Sequence, residues 1–185
     1  MLKDLISRMK SIKEAFSKKE LVKLRNESNG LIELAALHSD KVLAEMSLIA
    51  YSLHKILSKP HIIDSLKWKS VKAKIIDSLD ESIECLKRKD FDSFKTELSE
   101  LSKKVSAVDK EYGNFIQNVF EKAKVKQASR AYALGMSLSQ SADLTGASKR
   151  ELLSYIGATK IHDAEEKRLG IKERKQFLGG LFRNE

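Results

Sequence analysis

Gly135, Gly146 and Gly157 stand at intervals of 11 residues. A hydroxyl followed three positions later by Gln or Glu occurs inside each interval: Ser137 with Gln140, and Ser148 with Glu151. The chemistry of such a pair is local. The hydroxyl accepts from the free N–H groups of a helix's first turn, and the third residue bonds back to the cap. Each glycine can adopt the left-handed conformation that closes the helix before it. The spacing therefore predicts a helix over 122–134, a turn, a short helix over 138–144, a tight turn, and a helix over 149–156.

The stretch 134–152, LGMSLSQSADLTGASKREL, resembles the helix-turn-helix of DNA-binding regulators. It is also similar to the short helix-turn-helix antitoxins of prokaryotic toxin–antitoxin modules. The resemblance is confined to residues 128–161. Ala142 takes the small-residue position where two helices cross, and Gly146 supplies the positive φ of the turn. Leu138, Leu144, Leu152 and Ile156 are the apolar anchors expected to tie both helices to the one before. The resemblance implies a recognition helix that exposes Lys149, Arg150, Leu153 and Ser154, with Ser148 at its cap. Its N-terminal residues face base edges in the major groove. Arg150 suits guanine, and Lys149 suits guanine or phosphate. Ser139 and Gln140 can bind phosphate, and Lys126 and Arg130 are expected to reach the same side.

The charge distribution fits a polyanion at the chain's ends. The sequence of 185 residues carries 35 basic and 26 acidic groups, net +9. Residues 1–25 hold 8 basic and 3 acidic groups, and residues 121–185 hold 13 and 8. The 14 basic and 15 acidic groups between them leave the middle near neutral. The alternative for the ends is a solvated Lys-rich helix surface.

The elements that position this segment read as helices. Residues 1–112 contain one glycine, Gly30, and the only proline, Pro60. Leu2, Leu5, Met9, Ile12 and Phe16 recur at three and four residues, which is one helix face. That helix is basic and amphipathic; packing is its commoner role, and an anionic membrane surface is the alternative. Ser17 with Glu20 reads as a capping box opening a second helix that ends near His38. Ser39 or Asp40 can cap a third, which Pro60 terminates. A long helix is expected over 62–88, with Leu66, Ile75, Leu79, Ile83 and Leu86 on one side. Lys89-Asp90 is a turn, and Phe91, Phe94, Leu98, Leu101, Val105 and Val108 continue the period.

Little else in the sequence suggests chemistry. There is no Gly-rich phosphate loop and no zinc-protease or nucleophile-elbow motif. His162 with Glu165 or Glu166 is the nearest approach to a metal pair, and a solvated helix explains it better. One cysteine, Cys85, permits no internal disulfide. Trp68 and Tyr51 read as core residues, since stacking platforms need aromatics gathered in a basic groove. No stretch approaches the length of a membrane span.

The expectation is an all-α protein in three parts. Residues 1–120 form a helical bundle or helical hairpins, for dimerisation or partner binding. Residues 121–161 form the helix-turn-helix, and 162–185 a basic, partly flexible tail. In that tail Phe177, Leu178, Leu181 and Phe182 are candidates for a protein partner. The function expected is that of a non-enzymatic regulator of prokaryotic, archaeal-like type. It binds double-stranded DNA as a homodimer, without a cofactor, in the cytoplasm. The alternative is a helical adaptor, or an RNA- or ribosome-associated factor, in which the helix-turn-helix is only structural.

Overall fold

Apolar residues at helical spacing, with little glycine to interrupt them, make the chain a succession of helices. The computed structural model describes residues 2–111 and 119–159, with side chains described to residue 108 in the first stretch. Among these residues there are nine helices and no strand. They are α1 (Leu2–Ser17), α2 (Leu21–His38), α3 (Lys41–Leu57), α4 (Pro60–Ile63), α5 (Trp68–Lys87), α6 (Phe91–Glu111), α7 (Val119–Ala133), α8 (Leu138–Thr145) and α9 (Lys149–Ala158). The architecture is an all-α bundle. No described helix is long and apolar enough to cross a membrane.

The central element is α3. Leu43, Met46, Ile49, Ala50, Leu53 and Ile56 are all buried, and so are Ser47 and Ser52. A helix apolar nearly all round must be covered on every side. α2 packs along it, and α1, α6 and α7 cover the rest. α5 and α6 form the antiparallel pair expected from the sequence, joined at Lys89, whose φ is +62°. α3 starts as expected. Asp40 is its N-cap and accepts from the backbone N–H groups of Val42 and Leu43 at 2.8 and 3.2 Å.

Three local expectations fail. Ser17 and Glu20 make no capping box. Ser17 ends α1, and Lys19 turns left-handed with φ +58°. The Glu20 N–H then bonds back to the Ala15 carbonyl at 2.8 Å, so α2 starts at Leu21 without a side-chain cap. The long helix over 62–88 is broken between α4 and α5. The Ser65 hydroxyl bonds the Ile62 carbonyl at 2.8 Å, and the Trp68 N–H bonds the Ser65 carbonyl at 3.0 Å. The break buries Ile62 and sets Trp68 edge-on against Phe16, with ring centroids 6.0 Å apart. Leu66, expected on the buried side, is the residue left fully exposed.

At the other end of the chain, α7, α8 and α9 pack around a small core of their own. Ala128, Ala142 and Leu152 are buried there, with Leu138, Ala147 and Ile156 against them. Leu144 departs from expectation. It joins the main core, together with Val119, Phe120, Ala123 and Ala131 of α7, and Met136 packs against that core. α7 therefore contributes to two cores at once. Gly135 and Gly146 close their helices with φ of +99° and +68°. Gly157 does not; it lies inside α9, which runs on to Ala158.

Gly146 and Gly157 should respond oppositely to alanine. At Gly146 a Cβ meets only the end of Lys124, at 3.9 Å, so the cost is conformational. Gly146→Ala should lose about 1–2 kcal/mol in denaturant unfolding. Gly157 is helical with open space around it. Gly157→Ala should gain about 0.5–1 kcal/mol. A loss at Gly157 or a gain at Gly146 contradicts these assignments.

Candidate nucleic-acid interface

Local capping builds both short helices. Ser137 caps α8: its Oγ accepts from the Gln140 N–H at 3.1 Å, while Gln140 Oε1 accepts from the Ser137 N–H at 3.0 Å. The capping box is complete. Ser148 caps α9 by accepting from the Glu151 N–H at 3.5 Å, a longer bond. Between them the Ala147 N–H reaches the Ala142 carbonyl at 3.0 Å across the left-handed Gly146. Ala142 is small where the turn doubles back, and Leu152 of α9 fills the space beside it.

The buried edge of α9 thus runs through Leu152 and Ile156. By helical geometry, at 100° per residue, Arg150 and Ser154 lie opposite that edge. Both are exposed, as are Lys149 and Leu153. Leu153 keeps 59% of its surface. Arg150 has no ion partner among the described residues. Lys149 lies 3.9 Å from the Asp143 carboxylate, with both side chains more than half exposed. An ion pair so exposed contributes little and exchanges readily. Ser139 and Gln140 are also exposed at the start of α8.

The two α7 cations expected at the site, Lys126 and Arg130, behave differently. Lys126 Nζ donates to the Tyr155 hydroxyl at 3.1 Å and lies 5.5 Å from that ring's centre. It joins α7 to α9 and stays at the edge of the site. Arg130 turns to the bundle, where its Nη2 meets Glu33 of α2 at 2.7 Å. The fold brings Lys149, Arg150, Leu153 and Ser154 together on α9. Ser148 lies at their cap and Lys126 beside them, while Arg130 points elsewhere.

A second group near Tyr155 escapes a linear reading. Lys55 lies over the Tyr51 ring, 5.5 Å from its centre, and the His54 ring is 6.0 Å away. Burial, and then the neighbouring Tyr155 phenol, push the Tyr51 hydroxyl up; Arg25 acts in the opposite direction. Tyr155, 104 residues away in sequence, is near enough in the fold to act on Tyr51. The only hint in the sequence was a shared i, i+4 position of Tyr51 with Lys55 on one helix face.

No group of three or more metal-binding side chains exists among the described residues. The chain matches no protein-family model, no curated protein and no solved structure. Phe177, Leu178, Leu181, Phe182 and the His162 pair lie outside the described residues.

His54 supplies a test of how the edge of this region is packed. Its Nδ1 donates to the Leu21 carbonyl at 3.0 Å. Burial pushes the imidazole below its ordinary value; the Leu21 bond raises it, and Lys55 and Arg25 lower it. The folded chain then favours the neutral ring. As pH falls through the ordinary histidine range, near about 6.5, the unfolded chain takes up the proton first and stability is lost. Between about pH 7.5 and 5.5 the wild type should lose more stability than His54→Gln in denaturant melts. Parallel losses would contradict the assignment.

Proposed function

We propose that α7–α9 form a helix-turn-helix and that the protein is a regulator binding double-stranded DNA, with α9 in the major groove. The observation that carries this reading is the free outer face of α9. Arg150 and Ser154 lie at its crest, and Lys149 and Leu153 lie on one side. All four are presented on a helix whose opposite edge is held by Ala128, Ala142 and Leu152. A guanidinium fork with no carboxylate partner suits the paired acceptors of guanine. Leu153, three residues on, suits a thymine methyl. Ser139 and Gln140 supply donors to the flanking phosphates. A single recognition helix gives weak affinity, so we expect a homodimer with the two α9 helices about one turn of DNA apart, ~34 Å. The antitoxin likeness in 134–152 is compatible with such a regulator.

The rival reading, a helical adaptor whose α7–α9 only pack, draws on Arg130 and Leu144, both of which serve the bundle. Enrichment of duplexes from a genomic fragment pool separates the two. The wild type should select particular sequences, and Lys149→Ala/Arg150→Ala should lose that selection with affinity reduced about 10- to 100-fold. Sequence-blind binding that both proteins share, and that fades as salt rises, would favour the adaptor.

A further inference from the structure

We infer that Arg25, Tyr51 and Lys55, on α2 and α3, join Lys126 and Tyr155 in a second nucleic-acid contact, which grips the phosphate backbone beside the groove that α9 enters. This inference rests on the reading of α9 just given.

Three buried hydrogen bonds place the group. The Ser28 hydroxyl donates to the Ser47 carbonyl at 2.9 Å, and the Ser47 hydroxyl donates to the Ser28 carbonyl at 2.8 Å. Gln127 Nε2 donates to Ser28 Oγ at 2.9 Å. Arg25 is one turn from Ser28, Tyr51 one turn from Ser47, and Lys126 is next to Gln127. The register of α2, α3 and α7 therefore gathers Arg25, Tyr51 and Lys126 at one end of the seam. Lys126 then reaches Tyr155 on α9. Tyr155 lies on the flank of α9 away from Lys149 and Leu153, between the buried edge and Glu151, which separates it from the Arg150–Ser154 crest. A duplex seated on that crest carries one of its strands over this flank.

The charges favour phosphate. Several basic side chains near the bundle's seams have carboxylate partners: Arg8 with Asp4 and Glu27, Lys13 with Asp80, Lys23 with Glu14, Lys124 with Glu121, Arg130 with Glu33. Lys72 and Lys104 instead donate to the Ser17 carbonyl and the Ser78 hydroxyl. Arg25, Lys55 and Lys126 have none among the described residues. Lys55 and Lys126 are held over tyrosine rings instead. A ring restrains an ammonium without neutralising it, which leaves the full charge for an anion. One face of each ring is thereby taken, so the rings support cations better than they stack unpaired bases. Glu151, one turn before Tyr155, is the only acid on α9 and bounds the patch.

The test is the salt dependence of binding by the full chain to a labelled duplex of about 30 base pairs of mixed sequence. Arg25→Gln/Lys55→Gln should flatten the slope of log affinity against log salt by about two and weaken binding at least tenfold near physiological salt. The exposed Arg25→Gln alone should flatten it by about one, which covers the case in which the double variant fails to fold. Lys3→Gln/Lys10→Gln, the same charge change on exposed positions of α1, is the control. Slopes for the patch variants equal to that control's overturn the inference. The reading of α9 fails separately: Lys149→Ala/Arg150→Ala then keeps the wild-type sequence preference, while the patch variants still flatten the slope.

Discussion

Three polar side chains buried where α2, α3 and α7 cross hold the two ends of this protein together. Ser28 and Ser47 exchange hydrogen bonds with each other's backbone, and Gln127 reaches in from a residue 99 positions away. Small hydroxyls let helices approach closely. Once they are buried, they bond with each other and with nearby backbone, because an unpaired buried polar group costs about 1–3 kcal/mol. Among the described residues only Gln127 Oε1 of this cluster lacks a partner. The need for partners fixes register, since sliding α2 by one residue breaks all three bonds, and sliding α3 or α7 breaks those each of them makes with Ser28. α7 is therefore part of the bundle, and what it carries is set in a defined orientation.

What α7 carries is divided between its two sides. Ala123 and Ala131 face the main core, while Ala128 faces the small core with Ala142 and Leu152. Two apolar seams on one helix leave few positions for free charge. This explains why Lys126 and Arg130 are bonded within the protein while Lys149 and Arg150 remain outside. α9 has one seam only, and its outer face is free for a partner. The same economy explains Leu144: α8 lies between the two cores and contributes to both.

The C-terminal helices were legible in the sequence because their determinants are local. A complete capping box at Ser137, a hydroxyl cap at Ser148 without the reciprocal Glu151 bond, and glycines at 135 and 146 act within one turn, so their effect is visible at short spacing. The expected 138–144 and 149–156 differ from α8 and α9 by one and two residues at their ends. The pattern misled where tertiary contacts decide between local options. Ser17 and Glu20 fit a cap, but the chain closes α1 at Lys19 instead. Leu66 fits a helical stripe, but the chain breaks there and buries Trp68 against Phe16 instead. Arg130 fits a basic face until Glu33, distant in sequence, is brought beside it. Tyr51 reads as core but is only half-buried against it, and nothing near it in sequence announces Tyr155.

Amide chemical shifts during titration with duplex DNA show whether nucleic acid meets the protein on the outer face of α9. The largest changes should fall on residues 148–155 and on the start of α8, with a second set around Arg25 and Tyr51. The α1 face that carries Lys3 and Lys10 should stay unperturbed. Changes confined to α1, or spread evenly over every basic surface, would contradict that contact and leave α7–α9 as a packing unit of the bundle.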